Sequence, residues 1–469
     1  MRSHRFRLLA GVAVCGIASA CATSNAALNG TPVQTIERPT SAGNPILPVF
    51  EIVAFDALLN LGGREFDNDE RAFDVTARSI RQNLRGPWVI DDDPFQVNQF
   101  MHPYQGSMYH TFARSTGYGY WPSTIYTIAG SAMWEIAGET TAPSINDQIA
   151  SGFAGSFLGE ALFRMANLLL EKGHGHVGTR RALLAAALSP GTGFNRMAFG
   201  DRFDGVLDSH DPAFDVRMQI GVSGSSNSRS APTLSDMKND TVLDLSMEYG
   251  LPGKPGYRYS RPFDYFGMQV IATRASGLES LMTRGLIAGR DYAAGGGRGV
   301  WGLYGVYDYH APEIFRVSTT AASFGTSVQF GGPSALTFQA TALGGVGYGA
   351  AHPIHRTDDR DYHYGLAPQA TAAIRLVAGN RVSFDLAARE YWVSNVGAFD
   401  TSGDDIILRA ESSLGVRLSK RNAISVRYLL FRRDATYGSQ PKQSQERRTF
   451  AVFYTLLGPQ YFGAVDWNK

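Results

Sequence analysis

The fold is decided by the stretch Phe214-Asp215-Val216-Arg217-Met218-Gln219-Ile220, in which every even position is apolar and every odd position is polar. Successive side chains of a β-strand point to opposite sides. The stretch therefore predicts a strand with one apolar and one polar face. A transmembrane β-barrel needs such strands, because one face meets lipid and the other meets the lumen.

The same alternation recurs through the rest of the C-terminal half. In 381–393, for example, Val382, Phe384 and Leu386 share one face. The sequence predicts strands at 214–222, 240–249, 263–275, 279–290, 300–309, 313–329, 334–348, 363–377, 381–393, 404–418, 423–432 and 447–457. We therefore predict an α+β protein, in which an N-terminal α-helical region precedes a transmembrane antiparallel β-barrel of about twelve strands.

The connections between the predicted strands alternate in length. Links such as 331–333 and 419–420 are short, whereas 350–362 and 394–403 are long and polar. Outer-membrane barrels have short periplasmic turns and long outer loops, so both ends of this barrel are expected in the periplasm. A soluble all-β domain would also alternate. Aromatic residues near the strand ends favour the membrane barrel.

The N-terminus has the pattern of an export signal. Basic residues precede the apolar run Leu8–Ile17, and the small residues Ala18-Ser19-Ala20 follow it. We predict a signal peptide over 1–20, a flexible tether over 21–43, a helical domain over 44–205 and the barrel over 206–469. Cys21 follows Ala20 as in a lipobox, and the sequence leaves both acylation of Cys21 and plain cleavage open.

Composition excludes several classes of function. The net charge of +1 and the 18% of charged residues give no basic surface for nucleic acid. The two cysteines, Cys15 and Cys21, belong to the signal region, so no internal disulfide or multi-thiolate metal site is expected. The partners predicted for such a barrel are outer-membrane lipids, including lipopolysaccharide, and the barrel-assembly machinery.

Several polar residues stand in apolar, aromatic-rich segments of the helical domain. Buried polar groups are costly unless they are paired, and they are enriched at functional sites. A histidine with a serine, such as Ser107 or Ser131, and a carboxylate would suffice for acyl transfer or lipid hydrolysis. The structural alternative is that each residue caps a helix or forms a buried ion pair. The candidate catalytic residues are His102, Ser107, Arg114, Glu135 and Asp147.

Metal binding has a weaker signal in the same region. Glu135 and Glu139 lie on one helical face and could hold a divalent cation with Asp147. Three carboxylates without a defined loop are a poor metal motif, so we predict neither a metal site nor a cofactor.

The polar faces of the strands carry charges of both signs. They predict either a salt-bridged plug or a narrow polar channel, and twelve strands leave the choice open. The residues predicted to face the lumen are Arg217, Asp244, Arg381, Asp385, Arg389, Arg409 and Glu411.

A string of motifs in the helical domain resembles a bacterial domain-of-unknown-function family, numbered 3943. The resemblance extends over roughly 45 to 330 and implies an envelope location, without an activity or a set of catalytic residues. The residues that carry it are Asn98, His102-Pro103, Gly106, Ala113-Arg114, Ser131, Trp134-Glu135, Ser144, Asp147 and Gly159-Glu160.

Three functions remain open from the sequence, of which the last is a purely structural assembly partner of other envelope proteins. The first is a barrel in the outer membrane of a Gram-negative bacterium, with its helical domain on the periplasmic side, that serves envelope maintenance or the passage of a small solute or lipid. The second is an enzyme that modifies lipid or lipopolysaccharide through His102, a serine and Glu135.

Overall fold

The structure is a computed structural model that describes residues 31–32, 35–36, 44–66, 72–91, 93–172, 176–199, 206–227, 237–332, 336–352, 362–395, 403–437 and 441–467. The predicted signal peptide and Cys21 lie outside the described residues. The chain divides into two compact units, a helical unit Thr23–Ser209 and a barrel unit that includes His210–Lys469.

The helical unit contains the helices α1 (Ile46–Phe66), α2 (Ala77–Asn83), α3 (His102–Ser115), α4 (Tyr120–Ala137), α5 (Ile145–Ile149), α6 (Gly155–Glu171), α7 (Thr179–Leu188) and α8 (Pro190–Phe199). Wider π-helical turns, Val97–Met101 and Ala150–Ala154, lead into α3 and α6. The short strands β1 (Thr31–Pro32) and β2 (Thr35–Ile36) lie within the predicted flexible tether. They pair with β3 (His176–Val177) and β4 (Val206–Leu207), so this part of the tether is tied to the helical unit.

Helix α3 is the centre of the helical unit, because α4 and α6 both pack against it. Its residues Met108, Tyr109 and Phe112 form an apolar core with Ile52 of α1. By length and composition alone, Ile46–Glu65 and Ile145–Glu171 could each cross a membrane, but 89% of the most apolar window of the second is buried inside the protein.

The barrel unit is a closed antiparallel barrel of twelve strands, as the alternating pattern predicts. Strand β16 pairs with β5 to close it, for example through Leu456 and Met218. The strands are β5 (Phe214–Ser226), β6 (Lys238–Tyr249), β7 (Phe266–Thr273), β8 (Gly277–Ala294), β9 (Gly297–His310), β10 (Val317–Phe330), β11 (Leu336–Ala351), β12 (His363–Ala378), β13 (Val382–Val393), β14 (Gly403–Arg417), β15 (Asn422–Tyr437) and β16 (Gln443–Leu457).

The outward faces of many strands are apolar and open. Ile220, Val222 and Val452 are 41–65% exposed, and Leu386 and Leu414 are similarly exposed on other strands. A closed barrel satisfies every backbone hydrogen bond of its strands internally, and an apolar outer surface suits lipid. The unit is therefore a β-barrel of the outer-membrane type.

One connection departs from the expected pattern of short turns. The link between β6 and β7, residues 250–265, is long although it lies at the end of the barrel where the other turns are short. It forms a compact turn, in which the backbone N–H groups of Ser260 and Arg261 donate to Asp264 Oδ2 at 3.0 and 2.7 Å. Its first residues, Leu251 and Pro252, line the inside of the barrel.

The chain after β16 folds back into the same mouth of the barrel. Gln329, which faces the lumen and is fully buried, donates to the carbonyl of Val465 at 2.7 Å and accepts from its N–H at 3.0 Å. Gln339 donates to the carbonyl of Gly463 at 2.7 Å. Phe462 is 1% exposed among lumen-facing apolar residues. We call residues 458–467 the C-terminal plug.

Replacing Gln329 by alanine is expected to loosen the C-terminal plug, because both of its hydrogen bonds to Val465 would be lost. Carboxypeptidase should then remove the C-terminal residues faster than from the native protein in detergent. Gln445→Ala is a control, since Gln445 lies on β16 near the opposite mouth. Equal rates for the Gln329→Ala and native proteins would contradict this docking.

Candidate functional site

The predicted lumen charges are joined in ion pairs that bridge strands far apart in the barrel. Arg389 on β13 contacts Asp308 on β9 at 2.9 Å. Arg217 on β5 reaches Asp385 on β13 at 3.5 Å. Asp308 is not among the residues predicted from the sequence, although its alternation with Tyr307 and Tyr309 places it on the polar side of β9.

The other predicted lumen residues are placed as follows. Asp244 contacts Arg427 at 2.6 Å, and Arg409 contacts Glu411 at 2.7 Å. The prediction for Arg381 requires a correction, because Arg381 lies in the turn before β13 and is exposed. The alternation was extended one residue past the strand, where the turn no longer obliges a side chain to face inward.

The middle of the lumen holds a cavity of about 160 Å³, which the paired arginines and carboxylates line. Toward the long-loop end, the lumen is filled by an apolar cluster that includes Phe315, Tyr391, Leu429 and Phe431. The C-terminal plug occupies the other end. Along the described residues, the charges are thus arranged as a cross-braced interior with a small polar chamber.

In the helical unit, three of the candidate residues come together. His102, Glu135 and Asp147 each offer one ligand atom, and these atoms lie within 4.8 Å of one another. His102 Nε2 is 3.8 Å from Asp147 Oδ2, and His102 Nδ1 is 3.3 Å from Ser151 Oγ. All four residues are at most 5% exposed. We call His102, Glu135 and Asp147 the central cluster.

The backbone around the central cluster is held by a short parallel contact between Val89 and Ser144. Ser144 caps α5 by accepting from the N–H of Asp147 at 3.2 Å. Asn146 donates to Asp91 Oδ1 at 2.8 Å and accepts from the N–H of Asp91 at 3.0 Å. Asp91 and Asn146 are not among the residues predicted from the sequence, because they are 55 residues apart in the chain.

Burial dominates the protonation of the central cluster. It raises the pKa of Glu135 well above the ordinary value, and the nearby Glu139 raises it further. Burial and the negative charge of Asp91 likewise raise the pKa of Asp147. The pKa of His102 is lowered by burial, although Glu139 and Asp91 act in the opposite direction. Without a bound cation, the cluster therefore favours neutral side chains.

The remaining candidates lie elsewhere. Ser107 is five residues after His102 on α3, which places it roughly 140° around the helix, and it donates to the carbonyl of Tyr104 at 2.6 Å. Arg114 is about 18 Å further along the same helix from His102. Ser131 Oγ is buried and has no hydrogen-bond partner among the residues that the structure describes. The serine that contacts His102 is Ser151, four residues after Asp147 on the same helical face.

Arg114 belongs to a second buried cluster, centred on Glu160. Glu160 accepts from Arg114 Nε at 2.7 Å, from Arg164 Nε at 2.8 Å, and lies 3.1 Å from His110 Nε2. Burial alone would raise the pKa of Glu160, but Arg114, His110 and Arg164 outweigh it and hold that pKa below its usual range. This arrangement satisfies its own charges, which is typical of a structural brace.

Glu51 predicts a pH dependence of stability in the helical unit. Burial raises its pKa from 4.5 to about 8 in the folded protein. In the unfolded chain the carboxyl group of Glu51 ionises near pH 4.5. Between pH 4.5 and about 8 the unfolded state has therefore released a proton that the folded state keeps. The free energy of unfolding is therefore expected to fall as pH rises from 4.5 toward about 8.

The variant Glu51→Gln should not lose stability in this way. The difference between its free energy of unfolding and that of the native protein should therefore grow as pH rises from 4.5 toward about 8. Denaturant unfolding at several pH values measures the effect. Glu65→Gln, at an exposed position of the same helix, is the matched control. A native profile that rises with pH, and that Glu51→Gln leaves unchanged, would contradict the assignment.

Comparisons with known proteins add the following. No curated protein matches the chain. Among solved structures, the NanC porin has a TM-score of 0.26 and 9% identity, over 50% of this chain and 98% of that one. The translocator domain of the autotransporter NalP from Neisseria meningitidis has a TM-score of 0.24 and 14% identity, over 52% of this chain and 88% of that one. Both TM-scores are low, so these likenesses assign no function.

The family comparison concerns the helical unit. Residues 87–191 match the model of a family described as a domain of unknown function, DUF3943. The matched segment is shorter than residues 45–330, over which the sequence predicted the resemblance. It contains His102, Glu135, Asp147 and the cluster around Glu160. The resemblance to DUF3943 is thereby confirmed for residues 87–191, the segment that holds both buried clusters of the helical unit.

Proposed function

We propose that the protein is an outer-membrane β-barrel that holds its helical unit at the periplasmic side of the outer membrane, where that unit serves envelope maintenance. In this proposal the barrel is an anchor and not a diffusion pore. The observation that carries it is the filled lumen, which ion pairs cross and which the C-terminal plug occupies at one mouth.

The cross-braces argue against an open channel because several of them join opposite parts of the wall. Arg375 on β12 contacts Asp385 and also reaches Asp215 on β5 at 3.4 Å. Arg447 on β16 lies 3.5 Å from Glu279 on β8. A solute would have to separate these ion pairs, and the pair between Arg447 and Glu279 is buried. Breaking a buried pair by removing one partner is typically destabilising by about 3–5 kcal/mol.

The periplasmic side is supported by chain connectivity. The number of strands is even, so β5 begins and β16 ends at the same mouth of the barrel. The turns 295–296, 379–381 and 418–421 at that mouth are short, and short turns of outer-membrane barrels face the periplasm. The helical unit precedes β5 and so joins the barrel from that side.

A lipid hydrolase is less well supported by the site. A serine nucleophile must reach its substrate, but Ser151, which contacts His102, is 1% exposed. Ser107 donates to a backbone carbonyl instead of a histidine.

Labelling of single cysteines tests the topology. Lys442→Cys, beside β16 at the long-loop end, should react with a membrane-impermeant maleimide in intact cells. Leu183→Cys, which is 63% exposed in the native α7, should react only after the outer membrane is permeabilised. The parent chain, which carries Cys15 and Cys21, provides the background. Labelling of Leu183→Cys in intact cells would overturn the periplasmic placement.

The proposed role is tested by complementation. A deletion strain should become more sensitive to large or detergent-like toxicants, and the native gene should restore resistance. Because the role is assigned to the helical unit, Glu160→Gln should complement poorly when the barrel is still inserted in normal amounts. Full complementation by a variant whose helical unit is shown to be unfolded would refute the proposal.

A further inference from the structure

We propose that the central cluster is a binding site for one divalent transition-metal ion, with His102, Glu135 and Asp147 as its protein ligands and Zn²⁺ as the matching ion. The inference rests on the ligand geometry, on the hydrogen bonds that orient the ligands and on the charge of the cluster. It concerns the helical unit and does not depend on the proposed role of the barrel.

The spacing of the ligand atoms fits a shared ion. His102 Nε2 and Asp147 Oδ2 are 3.8 Å apart, which is too far for a good hydrogen bond. Two ligands at about 2.0–2.1 Å from one tetrahedral Zn²⁺ lie roughly 3.3–3.4 Å from each other. The ligand atoms of all three residues fall within 4.8 Å. A small movement of the three ligand atoms toward one another would therefore bring all of them to coordination distance from one Zn²⁺ ion.

Each ligand side chain already takes part in a hydrogen bond with a neighbouring residue. Ser151 Oγ lies 3.3 Å from His102 Nδ1, which leaves Nε2 to face the carboxylates. The N–H of Ser144 donates to Glu135 Oε2 at 2.9 Å. Asn146 donates to Asp147 Oδ1 at 3.1 Å. Metal-binding histidines and carboxylates characteristically have such partners, which fix the direction of the ligand atoms.

The make-up of the cluster also suits a cation, because a bound divalent ion would let both buried carboxylates ionise. Two carboxylates are buried beside one imidazole, with Asp91 close to Asp147. Within the described ranges, the only ion pair recorded for these ligands is the one between His102 and Asp147, and it includes no arginine or lysine. The Glu160 brace, in contrast, places two arginines on one carboxylate. A divalent ion would supply the missing positive charge.

The donor set selects the class of ion. Mg²⁺ and Ca²⁺ favour oxygen ligands alone, whereas an imidazole with carboxylates suits Zn²⁺ and its first-row neighbours. Three protein ligands leave one tetrahedral position for water. The π-helical turns beside His102 and through Ser151 agree with this interpretation, because such turns are frequent at functional sites.

The first test is metal analysis and titration of the full-length protein, purified from outer membranes without chelators. We expect one tightly bound transition-metal ion per chain. After chelation, the protein should bind Zn²⁺ at one site and prefer it strongly to Mg²⁺. Absence of both a co-purified metal and a saturable Zn²⁺ site in folded protein would overturn the proposal, and the carboxyls would then simply share protons.

Variants that keep nearly the same side-chain shape but remove the carboxylate charge test which residues are the metal ligands. Glu135→Gln and Asp147→Asn should each weaken Zn²⁺ binding by about 100-fold or more, and Ser151→Ala by roughly 10–100-fold. Asp56→Asn is the matched control, because Asp56 is buried in the same unit and accepts a hydrogen bond from Tyr109. Circular dichroism confirms folding of each variant. Native-like Zn²⁺ affinity in folded Glu135→Gln and Asp147→Asn would refute the assignment.

Should either ligand variant fail to fold, Ser151→Ala and the native protein still decide the question. Co²⁺ in place of Zn²⁺ gives a visible absorption band whose intensity reports tetrahedral coordination. The native protein should show this band, and Ser151→Ala should require more Co²⁺ to reach it. Identical Co²⁺ titrations of Ser151→Ala and native protein would contradict the orienting role of Ser151.

Discussion

Replacement of Glu160 by glutamine is expected to destabilise the helical unit by about 3–5 kcal/mol. Glu160 is fully buried and its two oxygens serve Arg114, Arg164 and His110. A neutral amide would remove the carboxylate charge that the two buried guanidinium groups share. The desolvation cost of those cations remains in the folded state, whereas the attraction that offsets it is lost.

The loss would be measured as the change in the free energy of unfolding, with the helical circular dichroism signal followed in denaturant. Glu65→Gln, on an exposed part of α1, should change it by no more than about 0.5 kcal/mol. Adding Arg164→Met to Glu160→Gln should recover part of the lost stability, because one of the two buried cations that Glu160 offsets is then removed. A cost below about 1 kcal/mol for Glu160→Gln would contradict the brace.

Replacement of Gly106 by alanine should be nearly as damaging. A Cβ atom at Gly106 would lie 1.9 Å from the carbonyl oxygen of Ser151 and 2.9 Å from its Cα. The obstacle is backbone, so no side-chain rotation can relieve it, and α3 must separate from the π-helical turn. We expect Gly106→Ala to lower the free energy of unfolding by about 3 kcal/mol, which is at the upper end of the range for overpacked cores.

The same denaturation experiment includes an informative control. Gly62 also lies inside a helix, but a Cβ there would meet no atom within 4 Å. Gly62→Ala should therefore stabilise the protein by about 0.4–1 kcal/mol, because alanine reduces the conformational freedom of the unfolded chain. If both glycine variants changed stability equally, the close approach of α3 to Ser151 would be wrong.

The barrel could be predicted from sequence because its rule is local. Alternation such as that in Phe214–Ile220 marks a strand without knowledge of its partner, and the twelve predicted strands correspond to the twelve observed. The C-terminal plug lacks such a period. Its docking depends on Gln329 and Gln339, which are distant in sequence and have no special spacing from Val465.

The central cluster was predictable only in part. His102, Glu135 and Asp147 stood out as polar residues in apolar segments, but their convergence depends on how α3, α4 and α5 pack. Ser107 was considered because it is close to His102 in sequence, although helical geometry turns it away. The spacing of Ser151 four residues after Asp147 was a usable signal, because such residues share a helical face.

The central claim, that the barrel is a filled anchor, is tested most directly by electrical recording. Full-length native protein would be reconstituted into planar lipid bilayers from vesicles in which protease protection has verified its insertion. The cross-braces between Arg389 and Asp308 and the docked C-terminal plug predict no stepwise conductance above that of protein-free bilayers. Regular, stable conductance steps from the native protein would show an open lumen and contradict the account.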